Sequence, residues 1–95
     1  KTAVLVSPGF GAGFSTWNNP EMAVDFDLVE AFLSGDMTRF EYIVNEKYNQ
    51  DESLYLGGMV GLKVVWVDEG KKFRIDEYDG SESVEVFNEE SWFTA

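Results

Sequence analysis

A chain of 95 residues, of which 44% are hydrophobic and 16% aromatic, is long enough for one packed core, and we predict a single domain over residues 1–95. Its 18 acidic and 7 basic residues give a net charge of −11, which disfavours direct binding to nucleic acid or anionic lipid, because both need basic patches. It has no Cys and no His, so Ser/His/Asp catalysis, Cys/His catalysis and the usual zinc sites are excluded. We therefore expect no enzymatic activity, no metal and no cofactor.

The first half of the chain predicts a strand followed by helices. Residues 2–6 form a short β-branched run that ends at Pro8 and Gly9, typical of a buried strand. Asn19 precedes Pro20, which favours a helical start. Asp25 or Asp27 is placed to cap a short helix that ends before Gly35, and Asp36 is placed to cap a second helix. The apolar face of that second helix is predicted from the spacing of Phe40, Ile43 and Val44.

The second half of the chain changes to a period of two, which is typical of strands. We predict strands at residues 62–67, 72–78, 83–87 and 91–94, with turns at residues 68–70 and 79–80. Two consecutive hairpins of this kind make a meander. The fold class we predict is therefore α+β: an antiparallel sheet, made of the N-terminal strand and the C-terminal β-meander, with two helices packed on one face.

Asp79 and Gly80 predict a two-residue type I′ turn, and this turn sets the register of the last hairpin. The register places Ile75 opposite Val84 and Arg74 opposite Glu85, so apolar residues meet on one face and opposite charges on the other. It also places two glutamates directly opposite each other, and like charges in that position destabilise a hairpin. The conflicting pair is Glu77 and Glu82.

The glycine-rich loop, residues 7–15, is the first candidate site, because backbone N–H groups after a strand can bind an anion. Its spacing matches neither the dinucleotide fingerprint nor the P-loop, and no Lys or Arg lies between Lys1 and Arg39. The interpretations left open are a sharp reversal of the chain, a protein-contact loop and a small-ligand loop. The residues that would form the ligand loop are Gly9, Phe10, Gly11, Gly13, Phe14 and Ser15.

The second candidate site is an acidic and aromatic surface on the C-terminal half, where nine of the eighteen acids lie in residues 68–95. If Val65 and Val67 face the helices, then Trp66 lies on the other face, and an apolar patch with an acidic rim is typical of a protein interface. The alternative explanation of the acidic residues is that they only keep the surface solvated. The alternative for the apolar patch is that residues 54–60 and the chain end cover this face of the sheet. The predicted partner-binding residues are Trp66, Arg74, Asp76, Glu77, Asp79, Glu82 and Glu85.

The chain resembles small uncharacterised proteins of tailed bacteriophages at residues 4–15 (VLVSPGFGAGFS) and 73–84 (FRIDEYDGSESV). Those proteins pair a strand and a Gly/Phe-rich loop with a late Glu-Tyr-Asp-Gly hairpin, although some have Gly-Gly-Phe where this chain has Gly11 to Phe14. The resemblance implies a phage accessory protein that acts inside a bacterium, and it assigns no catalytic residue.

Three functions follow as hypotheses. The first is a non-enzymatic phage accessory protein that binds and modulates a host protein, such as a nucleic-acid-handling or defence factor. The second is a protein that sequesters a nucleotide-like small molecule in the glycine-rich loop, and the third is a structural or assembly component that self-associates. The lack of Cys favours a reducing compartment. The apolar run at residues 2–6 is too short for a signal-peptide core or a membrane span, so we expect a cytoplasmic location.

Overall fold

The computed structural model describes residues 1–49, 54 and 57–87. Its strands and helices confirm the α+β class. The predicted strand at residues 91–94 lies outside the described residues. The described part also has two 3₁₀ helices, Pro20–Ala23 and Gly57–Gly61. In chain order the strands and α-helices are β1 (Thr2–Val6), α1 (Phe26–Leu33), α2 (Met37–Tyr48), β2 (Lys63–Val67), β3 (Phe73–Tyr78) and β4 (Ser81–Val86).

The predicted capping residues begin the helices in the structure. The Asn19 side chain accepts a hydrogen bond from the first turn of the helix Pro20–Ala23, and the side chains of Asp25 and Asp36 do the same for α1 and α2. Each of these caps satisfies a backbone N–H that has no partner within its helix. Gly35 has φ +76°, the left-handed conformation expected of a residue just past a helix end.

Strand pairing is antiparallel, and the predicted register of the last hairpin is confirmed. β3 pairs with β4 so that Ile75 lies opposite Val84 and Glu77 lies opposite Glu82. Asp79 has φ 49° and Gly80 has φ 85°, and two consecutive positive φ angles are what a type I′ turn requires.

The strands form two two-stranded sheets, β1–β2 and β3–β4, where the sequence predicted one continuous sheet. β2 and β3 do not pair, although the turn between them is present and Gly70 has φ +81° as expected. The physical reason is that β1 and β2 are apolar on both faces, so each face must be covered. The β3–β4 hairpin stacks on one face of the β1–β2 pair instead of extending its edge.

Two core clusters show which side of β1–β2 meets which layer. The hairpin side buries Val4, Val6, Val67 and Ala23 against Val65, Phe73, Ile75 and Val84. The helix side is centred on Leu5, with Leu62 and Val64 packed against it. The condition that Val65 and Val67 face the helices is therefore not met, because both lie on the hairpin side. The other buried members of the helix-side cluster are Phe14, Met22, Leu28, Ala31, Phe40, Ile43 and Val44.

Candidate functional site

The glycine-rich loop is fastened to the hairpin by one buried carboxylate, that of Glu82. One oxygen, Oε1, accepts the backbone N–H of Ser7 at 2.8 Å. The other, Oε2, accepts the backbone N–H groups of Phe14 at 2.9 Å and Thr16 at 3.0 Å, and also the Thr16 hydroxyl. The backbone N–H of Glu82 donates in turn to the carbonyl of Ser7 at 2.8 Å. One side chain of β4 therefore holds both ends of the loop that follows β1.

Burial of this carboxylate corrects the sequence prediction for Glu82. Glu82 is only 2% exposed, so the expectation that it belongs to an exposed partner surface is wrong. Burying a carboxylate costs several kcal/mol unless hydrogen-bond donors replace the lost water. The loop and Thr16 just after it supply four such donors. The two opposed glutamates also accept from different groups, because Glu77 Oε1 accepts from the indole of Trp17 at 2.8 Å. Separate donors thus compensate both members of the like-charge pair.

Backbone contacts hold the loop against the hairpin turn as well. The Gly11 N–H donates to the carbonyl of Asp79 at 2.5 Å, and the Ser81 hydroxyl donates to the carbonyl of Pro8 at 2.8 Å. A Cβ on Gly80 would lie 2.3 Å from the backbone nitrogen of Ala12, closer than any side chain allows. The turn glycine therefore permits both the left-handed conformation and this close approach.

These contacts use the groups that would otherwise bind an anion. The N–H groups of Ser7, Phe14 and Thr16 all point at the Glu82 carboxylate, so the loop binds a carboxylate of its own chain. Phe14 and Ser15, two residues of the predicted ligand loop, are buried, so their side chains are not exposed to an external ligand. Gly13 is also buried. The exposed part of the predicted ligand loop is Gly9, Phe10 and Gly11.

The buried carboxylate supports an exposed aromatic pair. Phe10 is 73% exposed and Tyr78 is 77% exposed, and their ring centroids lie 6.4 Å apart at an interplanar angle of 85°. This edge-to-face geometry is favourable for two aromatic rings. Exposed Asp79 follows Tyr78 in the turn, while Asp76 shares the outer face of β3 with Tyr78, because alternate strand residues point to the same side. We call the set Phe10, Asp76, Tyr78 and Asp79 the tip surface.

Three predicted partner-binding residues meet on the same outer face of the hairpin. Arg74 pairs with Asp76 at 3.0 Å and with Glu85 at 2.9 Å, and its guanidinium carbon lies 5.7 Å from the centroid of the Phe87 ring. The hydrogen bond to Glu85 and the charges of Asp76 and Glu85 raise the pKa of Arg74. The face therefore carries two carboxylates for one guanidinium, and Asp79 adds a further negative charge at its end.

Trp66 does not join this surface. It is 53% exposed and lies on the helix side of β1–β2, opposite Ala3 at the start of β1, whereas the glycine-rich loop follows the other end of that strand. Together with α1 it lines an apolar groove of about 610 Å³, which the sequence reading missed. The available signal was the spacing of Phe26 and Leu33, which lie seven residues apart on one side of α1. The apolar lining residues are Ala3, Val24, Phe26, Val29, Leu33 and Trp66.

A polar cluster joins the start of α1 to the end of α2. Burial alone would raise the pKa of Asp25, but hydrogen bonds from the Tyr48 hydroxyl, the Leu28 N–H and Lys47 outweigh it, so the pKa is lowered. Burial and the hydrogen bond to Asp25 raise the pKa of Tyr48 above its usual range, and hydrogen bonds to Asp27 and Asp25 raise the pKa of Lys47. These shifts follow from the helix cap and its ion pairs, so the cluster has a structural role.

Comparison of the chain with protein-family models, with curated proteins and with solved structures finds no match. Within residues 1–49, 54 and 57–87, no group of three or more acidic side chains is placed to hold a metal ion. No helix in that part of the chain has both the length and the apolarity to cross a bilayer. The candidate site therefore rests on the geometry of the tip surface and of the loop beneath it.

Proposed function

We propose that the chain is a non-enzymatic protein-binding domain whose tip surface docks on a basic surface of a partner protein. The observation that carries the proposal is the exposed pair Phe10 and Tyr78 on a support that hydrogen bonds hold in place. Aromatic residues are enriched at the centres of interfaces and contribute much of their binding energy. Holding such residues in position before binding reduces the entropy lost on association.

Charge favours a basic partner. The chain has a net charge of −11, and no Lys or Arg follows Arg74 in the sequence. Acidic surfaces of this kind speed association with basic partners through long-range attraction, and they repel nucleic acid and anionic lipid. A partner that normally handles nucleic acid would present the required basic surface.

The resemblance to phage proteins gives this proposal a setting. We place the chain among phage accessory proteins that bind and modulate a protein of the bacterial host, and we place its action in the host cytoplasm. The alternative of a nucleotide-like ligand in the glycine-rich loop has less support, because two N–H groups of the loop and the N–H of Thr16 just after it donate to Glu82.

Affinity capture from a bacterial host lysate with matched variants tests the proposal. Tyr78→Ser removes an aromatic ring from the tip surface, and Tyr42→Ser removes a ring that is 65% exposed on α2 as the control. We expect the wild type and the Tyr42 variant to retain a basic protein at 150 mM salt, and the Tyr78 variant to lose it. Equal capture by all three proteins would contradict the proposal.

A further inference from the structure

The chain shows on its own hairpin how it binds a guanidinium group. Arg74 lies with its guanidinium carbon 5.7 Å from the centroid of the Phe87 ring. The same group donates to Glu85 through Nη2 at 2.9 Å and pairs with Asp76 through Nε at 3.0 Å. An aromatic ring beside carboxylates is a favourable setting for a guanidinium, since cation–π attraction and charge-assisted hydrogen bonds act together.

Within the tip surface, Asp76 is paired with Arg74, but Phe10, Tyr78 and Asp79 present the same kinds of group and have no described ion pair with a Lys or Arg. Two exposed rings, Phe10 and Tyr78, lie at the hairpin turn that carries exposed Asp79, which directly follows Tyr78 and accepts the Gly11 N–H at its backbone carbonyl. All seven Lys and Arg residues belong to the described part of the chain, and no described ion pair includes Asp79. We propose that the tip surface binds an arginine side chain of the partner, with the guanidinium against the Phe10–Tyr78 pair and hydrogen-bonded to Asp79. This inference rests on the proposed function and specifies the partner's chemistry.

The chemistry of the two basic side chains favours arginine over lysine. A guanidinium is planar and weakly hydrated, so it stacks on an aromatic ring while its edge donates to a carboxylate. A lysine ammonium is a compact charge that holds its water more strongly. A lysine side chain would form an ion pair with Asp79 but would have a weaker cation–π attraction to the rings.

The loop and turn keep the site in its binding geometry. The Gly11 N–H bonds to the carbonyl of Asp79, next to Phe10 on one side and Tyr78 on the other. The Ser81–Pro8 hydrogen bond and the buried carboxylate of Glu82 fasten the two segments on either side of this contact. An arginine would therefore meet rings and carboxylate already arranged, without the cost of ordering a loop.

The test compares two capped hexapeptides, one of alternating glycine and arginine and one of alternating glycine and lysine, titrated into the ¹⁵N-labelled protein. Both peptides carry three positive charges, so they differ only in the basic group. We expect the arginine peptide to shift the amide signals of Gly11, Tyr78 and Asp79 saturably. Its Kd should be about two- to five-fold lower than that of the lysine peptide, the range of an exposed cation–π contact.

Variants then separate the rings from the charge. Tyr78→Leu should reduce the preference for the arginine peptide, since only the Phe10 ring remains, whereas Tyr42→Leu, the matched control on α2, should retain the full preference. Asp79→Asn should weaken both peptides. Equal affinity of the two peptides for the wild type, or shifts confined to residues outside the tip surface, would overturn the inference.

The proposed function fails on a different result. If the lysate partner depends on Tyr78 while the two peptides bind equally, the domain binds proteins by charge and shape, and only the arginine inference is lost. If the arginine peptide is preferred but the lysate partner does not depend on Tyr78, the proposed function is contradicted and the inference about its partner falls with it.

Discussion

Replacing Glu82 by alanine removes the carboxylate that joins β4 to the glycine-rich loop. The backbone N–H groups of Ser7 and Phe14 are both buried and lose their acceptor, while the partly buried Thr16 loses two hydrogen bonds. A buried donor left without a partner costs about 1–3 kcal/mol. For the two buried donors the sum is about 2–6 kcal/mol, and water entering the vacated space recovers part of it. We expect Glu82→Ala to lower the free energy of unfolding by about 3 kcal/mol, a large part of the roughly 5–15 kcal/mol typical of a folded domain.

The isosteric change Glu82→Gln gives a finer measure of the same contact. The glutamine carbonyl can replace Oε2 and still accept from Phe14 and Thr16, but its NH₂ group then faces the Ser7 N–H. The buried Ser7 N–H loses its acceptor, and the remaining hydrogen bonds no longer involve a charged group. We therefore expect the free energy of unfolding to fall by about 2 kcal/mol. The matched control is Glu77→Gln on the opposite strand, whose exposed carbonyl can still accept from Trp17. We expect Glu77→Gln to change the free energy of unfolding by less than about 0.5 kcal/mol.

Urea unfolding of the three variants and the wild type measures these differences, with a common m-value as the check for two-state behaviour. Amide hydrogen exchange adds a local readout. Protection of the Ser7, Phe14 and Thr16 amides should be retained in Glu77→Gln and lost in Glu82→Ala. A cost below about 1 kcal/mol for Glu82→Ala, with those amides still protected, would refute this role of the Glu82 carboxylate. Equal stabilities of the two glutamine variants would refute it as well.

Two further predictions concern stability. Gly80→Ala should lower the free energy of unfolding by at least about 2 kcal/mol, because its φ of +85° and the 2.3 Å approach to the Ala12 nitrogen both oppose a Cβ. Gly9→Ala, where a Cβ meets nothing within 4 Å, is the control and should change it by less than about 0.5 kcal/mol in the same urea assay. Asp25→Ala should cost about 2 kcal/mol at pH 7, through the helix cap and the contacts of Tyr48 and Lys47. Because the folded-state pKa of Asp25 is lowered, its contribution is complete above the usual value of 3.8 and is lost as the pH falls below it. The difference in unfolding free energy between wild type and variant should therefore narrow as the pH is lowered below about 4, and a difference that stays constant would contradict this assignment.

Local sequence rules predicted much of the fold. The caps Asn19, Asp25 and Asp36 were predictable because a short polar side chain interacts with backbone only two or three residues away. The register of β3–β4 was predictable for a similar reason, since the turn at Asp79 and Gly80 fixes the pairing of its neighbours. Among the candidate site residues, the grouping of Arg74 with Glu85 followed from that register.

The arrangement of the sheets was less accessible to such rules. Alternation along β2 shows two faces but not which layer covers each, so the sequence left open which side faces the helices. Val4 and Leu5 are both fully buried, and a strand buried on both faces needs two covering layers. The second layer is the β3–β4 hairpin, whose stacking on β1–β2 involves residues far apart in the chain.

The sequence by itself therefore determined the helix caps, the first strand and the last hairpin, because each depends on neighbours a few residues apart. It also contained a signal of the buried site, the unfavourable pairing of Glu77 with Glu82, without showing what relieves it. Only the tertiary structure decided that the Glu82 carboxylate turns inward, because its donors on Ser7 and Phe14 lie 75 and 68 residues away along the chain. The same long-range contact decided that the glycine-rich loop holds Phe10 beside Tyr78 and does not bind an external anion through these groups. A backbone N–H that already donates to a carboxylate has no second hydrogen to donate to an anion.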